Sequence, residues 1–193
     1  MLNKKKIACA SLALVMIASC AGCAGGKLGG SKIKKDDVVE HAEDAIDTIL
    51  ELKEKSLKKL GDIDEDYLSL HSYLEDDDSS KIVFEHAVVE VDEDSVETEK
   101  DSASVDVTIK LPDYEDAYDN SWDIDEFEEI IEDQKEKEYN KIEVTLEFEI
   151  DDDEWTLDNL DDVWEDIFSD YFCYMTDQES LKDVIEAYKA YFG

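Results

Sequence analysis

Apolar and polar positions follow two rhythms along this chain, and the switch between them marks its elements. Val38, Ala42, Ala45, Ile46, Ile49 and Leu50, then Leu57 and Leu60, recur at helical intervals, which predicts one amphipathic helix ending at Gly61. Its start is expected at Asp36 or Asp37, because Asp37 and Glu40 have capping-box spacing. Lys53, Lys55, Lys58 and Lys59 then fall in its last turns, where cations complement the helix dipole. A shorter helix is expected over about residues 64–74, burying Tyr67, Leu68, Leu70, His71 and Leu74, and the acidic run of residues 75–78 ends it.

From Lys81 the period becomes two. Ile82, Phe84, His86 and Val88 alternate with Val83, Glu85, Ala87 and Val89, which predicts a strand apolar on both faces over much of its length. Residues 92–101 turn the chain into a second strand, with Ala103, Val105, Val107, Ile109 and Leu111 on one face and Ser102, Ser104, Asp106, Thr108 and Lys110 on the other. Pro112, the single proline, ends it because proline has no amide hydrogen for the ladder. An acidic, tyrosine-containing loop over residues 113–122 leads to a helix over about residues 124–137, started by Asp123 with Glu126 or by Asp125 with Glu128, with Phe127, Ile130 and Ile131 inward. The next strand is the most regular, with Ile142, Val144, Leu146, Phe148 and Ile150 opposed to Glu143, Thr145, Glu147 and Glu149. Asp151-Asp152-Asp153 turns it into a short return strand, Glu154-Trp155-Thr156-Leu157. Two amphipathic helices close the chain. Leu160, Val163, Trp164, Ile167, Phe168 and Tyr171 mark the first, and Leu181, Val184, Ile185, Tyr188 and Phe192 the second, with Thr176 and Glu179 as its capping box.

The amino-terminal segment stands outside this pattern. Lys4-Lys5-Lys6 and the apolar run of residues 7–17 have the form of a secretory signal, and about eleven apolar residues are too few for a membrane span of about twenty. Within it, Ile17-Ala18-Ser19-Cys20 resembles the lipobox of bacterial lipoproteins, whose signal peptidase cuts before a cysteine that carries a diacylglyceryl group. The resemblance implies cleavage between Ser19 and Cys20, fatty acylation of Cys20, and a domain anchored to the extracytoplasmic face of the cell membrane. Cys23 is the runner-up, since the third residue before it is Cys20 rather than an aliphatic one. Residues 20–35, with Gly25, Gly26, Gly29, Gly30 and four lysines, read as a lipidated flexible tether, and residues 36–193 as a single domain.

Composition narrows the function. With 42% hydrophobic residues in periodic segments, the chain is expected to fold despite its charge. Its 19 basic residues, all lysine, face 55 carboxylates for a formal charge of −36, and loss of the three leader lysines makes it −39. Such a surface repels nucleic acid and anionic lipid and attracts cations and basic peptides, so nucleic-acid binding is excluded. Of the four cysteines, Cys23 and Cys173 remain as potential thiols after processing, and no structural disulfide is expected.

Two helices, an antiparallel hairpin, a helix, and a hairpin running from Val144-Thr145-Leu146 to Glu154-Trp155-Thr156-Leu157-Asp158 are similar to the nuclear transport factor 2-like fold. More narrowly, the chain resembles small lipoproteins of Gram-positive bacteria that carry such a domain after a lipobox. The resemblance implies an α+β class, a curved antiparallel sheet wrapped on helices over residues 36–158 to leave a cone-shaped cavity, with additional helices over residues 159–193. That cone serves enzymes, binders and scaffolds alike, so it does not fix an activity.

Candidate chemistry is sparse. His86 shares a predicted strand face with Ile82, Phe84 and Val88, where a histidine is either a general base or ligand contact, or a core histidine satisfied by one hydrogen bond. His41 and His71 lie on helices among carboxylates and read as surface or boundary residues. The loop at residues 62–66 misses the calcium-loop template, with Tyr67 at the glycine position and Tyr73 at the bidentate glutamate position, so no metal site is assigned. The sequence has no phosphate loop, paired-cysteine zinc motif or serine elbow, and implies no cofactor. The leading expectation is a non-enzymatic binding or interaction module, partnered by the membrane through its lipid and by a cell-envelope protein or small ligand. The alternatives are an enzyme using the cone with His86 as base, and an acidic surface protein responsive to divalent cations.

Overall fold

The two most regular alternations form the centre of the molecule. Counting strands in chain order, β4 (Ser102–Leu111) and β5 (Asn140–Asp151) pair antiparallel along their lengths, with Val105 opposite Leu146 and Val107 opposite Val144. The period of two places all of these side chains on one face, where they are buried, while Glu143, Thr145, Glu147 and Glu149 stay in water. β2 (Val88–Val91) flanks β4, and β6 (Glu154–Leu157) flanks β5. Ile7–Ala8, β1, pairs outside β2, so the antiparallel order is β1-β2-β4-β5-β6, with β3 (Glu97–Thr98) also on β4. The computed structural model describes residues 7–8 and 33–192. The lipobox, Cys20 and Cys23 therefore lie outside the described residues.

The helices cover the apolar face of this sheet, which makes the chain an α+β protein of two layers. α1 (Lys35–Leu50) buries Val38, Ala42, Ala45, Ile46 and Ile49, as its spacing predicts, and packs on β2 and β4. α3 (Glu65–Asp76) is capped by Asp64, whose carboxylate accepts from the Asp66 N–H at 2.7 Å. α7 (Leu160–Thr176) buries the predicted set together with Phe172 and packs against β5 and α3. α8 (Leu181–Phe192) lies against α7 and α3.

Six expectations need correction, each for a local reason. The first helix does not run to Gly61. It starts at Lys35 with no side-chain cap, and breaks at Leu52, which takes φ 55 before the short α2 (Glu54–Leu57). A left-handed leucine costs about 1–2 kcal/mol, but Leu52 is only 2% exposed, and burying leucine contributes about 1.5–3 kcal/mol, so burial holds the break. Residues 82–86 are not a strand: α4 (Asp78–Glu85) occupies them, and His86 sits at its C-terminal end. Asp77 decides the matter, because its carboxylate accepts from the Ser80 N–H at 2.7 Å and starts a helix that buries Ser80, Val83 and Phe84. The segment after Pro112 is not a loop throughout. Asp113 accepts from the Asp116 N–H at 3.1 Å and caps α5 (Tyr114–Asn120).

The next helix, α6 (Ile124–Asp133), starts at Asp123 as expected but stops four residues early, and Glu136–Glu138 forms a separate 3-10 turn. The acidic turn of residues 92–101 contains β3. Between β2 and β3 the Ser95 hydroxyl accepts from the Asp106 N–H at 2.8 Å, standing in for the missing strand partner. At the last helix, Thr176 belongs to the end of α7, and Ser180 starts α8, its Oγ accepting from the Asp183 N–H at 3.3 Å and donating to Asp183 Oδ2 at 2.7 Å.

The far edge of the sheet is closed by backbone. Leu157 N–H donates to the Leu60 carbonyl at 2.7 Å, so the residues before α3 pair with β6. A side chain at Gly61 would collide with the Leu157 carbonyl, which is why a glycine follows Leu60. Gly61→Ala should therefore force this junction apart and lower stability by about 1–3 kcal/mol in urea unfolding. An unchanged midpoint would mean the junction yields freely.

Candidate functional site

α7 carries most of the site because its two ends do different chemistry. In its first half Trp164 is fully buried, stacked on Tyr67 at 4.8 Å between ring centroids, and its indole N–H donates to His71 Nδ1 at 3.2 Å. His71 thus carries its proton on Nε2, which is buried and has no partner among the described residues. Burial holds the His71 imidazolium down, to a pKa of about 4, with Glu54 opposing weakly. This corrects the reading of His71 as a surface or boundary residue. His41 stacks on Trp155 at 4.1 Å.

At mid-helix, Tyr171 joins a ring of hydroxyls. Its OH lies 3.1 Å from Ser80 Oγ and 3.0 Å from the Tyr118 OH, Tyr118 donates to Ser79 Oγ at 2.8 Å, and both serines donate to Asp77 Oδ2 at 2.7 Å. Tyr118 and Ser80 have spent their hydrogens on Ser79 and Asp77, so the one hydrogen of Tyr171 serves only one of its two neighbours. Burial pushes the Tyr171 and Tyr118 phenols upward, and both stay protonated at neutral pH. The ring ties three elements: the junction of α3 and α4, then α5, then α7.

Beyond the ring, the C-terminal end of α7 borders a concavity of about 850 Å³. Leu111, Ile142 and Ile167 supply its apolar lining. Glu115, Asp170, Asp177 and Glu179 line it with one cation, Lys141. Tyr114 and Tyr174 stand edge to face at 5.8 Å, and Tyr174 donates to Asp119 at 3.0 Å. Desolvation and that bond push the Tyr174 phenol up to about 12. Cys173 also lines the groove as a free thiol, raised in pKa by burial. The helix ends at Asp177, which has φ 53 and donates its N–H to the Cys173 and Tyr174 carbonyls. Aspartate enters the left-handed region more readily than most residues but less freely than glycine, and a carboxylate at the negative end of a helix is unfavourable. Two locally unfavourable choices thus concentrate negative charge at the groove's rim.

A smaller concavity, of about 360 Å³ between α3, α7 and α8, is bridged by Lys189 to Asp66 at 2.6 Å. His86 lines neither. Its Nδ1 donates to the Ile82 carbonyl at 2.8 Å within its own helix. Among the described residues no group of three or more His, Cys, Asp or Glu side chains is placed to hold a metal ion. Asp64 is spent on capping α3, and Asp152 and Asp153 form the left-handed turn between β5 and β6. No helix of the described residues is long and apolar enough to cross a membrane.

The groove was not foreseen, since its walls come from three distant segments. One sequence signal was available: Tyr114 and Tyr118 are four apart, and Tyr171 and Tyr174 three apart, the intervals that put side chains on one helix face. No protein-family model matches the chain, and neither a curated protein nor a solved structure is significantly similar to it.

Burial of neutral His71 makes a pH prediction. Its pKa falls from 6.5 when unfolded to about 4 when folded, so its contribution is complete above pH 6.5 and lost on acidification toward pH 4. The full loss is about 3 kcal/mol by linkage. His71→Gln keeps an acceptor for Trp164 but does not titrate. The stability difference between wild type and variant, from denaturant unfolding at several pH values, should shift against the wild type by that order between pH 7 and pH 4. A constant difference would show that the imidazole is not desolvated.

Proposed function

We propose that this chain is a membrane-anchored, extracytoplasmic lipoprotein whose domain is a non-enzymatic binding module, and that the groove at the end of α7 is its binding site. The ligand class is an organic polycation: ammonium or guanidinium groups on an apolar stem. The observation that carries the reading is the rim itself, where Asp177 holds a strained conformation at the negative end of a helix beside Asp170 and Glu179. Such strain points to use rather than stability. The apolar lining suits the stem, and the tyrosine rings offer faces to a cation. The lipobox ending in Cys20 supports the anchor, and the nuclear transport factor 2-like reading is supported by helices on one face of an antiparallel sheet followed by two carboxy-terminal helices.

Two experiments test this. Spermine titrated into the protein by calorimetry should bind saturably, and Asp177→Gly should weaken it about tenfold or more while raising stability by about 1 kcal/mol, because glycine relieves the left-handed strain. Loss of binding together with gained stability is the expected signature. Equal affinity in the variant would sink the groove as the site. For the anchor, Cys20→Ser should abolish fatty-acid labelling and release the domain from membranes, whereas continued labelling would move the lipid to Cys23.

A further inference from the structure

The most exposed large apolar side chain of the described surface is Trp122, at 93%, with Ile124 two residues on at 41%. It is not on a loose loop. The Ser121 N–H closes α5 onto the Ala117 carbonyl at 3.0 Å, the Trp122 N–H donates to Glu126 Oε2 at 2.8 Å, and Glu126 N–H donates to Asp123 Oδ1 at 3.0 Å. The backbone on both sides of the indole is therefore fixed by helix ends. An unpartnered tryptophan leaves about 1.5–3 kcal/mol of burial unused, and tryptophan held rigidly in water is the side chain most favoured at the centres of protein interfaces.

The surroundings restrict what can cover it. No lysine lies between Lys110 and Lys135, while that stretch carries eleven carboxylates, with Asp119, Asp123, Asp125 and Glu128 near the turn in sequence and exposed. A second copy of this chain, at −36, would bring like charge to the contact, and an anionic lipid surface would do the same. A basic protein surface meets both demands, with an apolar pocket for the indole and lysine or arginine for the rim.

We propose that the turn between α5 and α6 is a docking knob for a basic protein partner, with Trp122 and Ile124 as the buried anchor and the flanking carboxylates as its rim. The surface is separate from the groove at the end of α7 and does not depend on what the groove binds. Because Trp164 is buried and Trp155 half-buried, the difference spectrum between wild type and Trp122→Phe isolates the fluorescence of Trp122.

The test uses the full-length protein with an amphipathic peptide of leucine, lysine and arginine, its glutamate-substituted counterpart, and phosphatidylglycerol vesicles. The basic peptide should shift the Trp122 emission to the blue. Trp122→Ala should weaken binding about tenfold or more with no change in melting temperature. Asp125→Asn with Glu128→Gln should weaken it and flatten its salt dependence. Because lysine and arginine also suit the groove, these comparisons are made in an Asp177→Gly background, where groove binding is weakened and the loss on Trp122→Ala belongs to the knob. The proposal is overturned if the basic peptide fails to bind, if Trp122→Ala binds it as well as wild type, or if the acidic peptide or the vesicles produce the same shift.

Discussion

The helical layer is tied by a ring of hydroxyl groups that converges on one carboxylate and has one hydrogen fewer than its contacts. Asp77 ends α3, starts α4, and receives the hydroxyls of Ser79 and Ser80, which in turn meet Tyr118 from α5 and Tyr171 from α7. Each hydroxyl still donates its one hydrogen within the ring, and a buried polar network of this kind admits few alternative packings of the helices it joins. Apolar contact alone would let α5 slide over α7, since dispersion and burial have little directionality. The ring fixes the register. Tyr114, one turn before Tyr118, packs edge to face on Tyr171 at 4.9 Å and so becomes a wall of the groove.

Charge acts on this frame from outside. Most ion pairs are exposed, such as Lys182 with Glu186 at 3.8 Å, and pairs of that kind are worth about 0–1 kcal/mol. Lys110 is the exception. It lies on the polar side of β4 with its side chain only 11% exposed, bonded to Glu90 at 2.9 Å and Glu136 at 3.0 Å, and these bonds hold its ammonium pKa above the usual value. It ties β2 and the 3-10 turn to the sheet. The carboxylates elsewhere have few cations to pair with, so the acidic surface acts chiefly on what approaches it, and helix ends fix the backbone at Asp177 and at Trp122 within that field.

The sheet was legible in the sequence because a half-buried strand writes its period directly: the inward sets of β4 and β5 match the alternation residue for residue. α7 was legible for the same reason at helical spacing. The run Ile82-Val83-Phe84 was not, because a short apolar stretch fits either period and only the cap supplied by Asp77 separates them. The helix α5 hid behind its acidic composition, although Asp113 had capping potential and its tyrosines lay four apart. Beyond the tyrosine spacings, the groove was not legible, since it exists only where the ends of β4, β5 and α7 meet the start of α5 in space. His71 was placed on the buried side of its helix by periodicity and misjudged by its charged neighbours in sequence, although the fold buries it completely.

The hydroxyl ring holds α5 against α7 and so shapes the groove. Hydrogen exchange of Tyr171→Phe tests it most directly, because the substitution removes one oxygen and leaves the packing volume intact. Removing a buried hydroxyl from such a network costs about 1–3 kcal/mol, so amides of residues 114–120 should exchange about tenfold faster or more, while the central amides of β4 and β5 keep their protection relative to global unfolding. Unchanged exchange in α5, with wild-type protection throughout, would contradict that role of the ring.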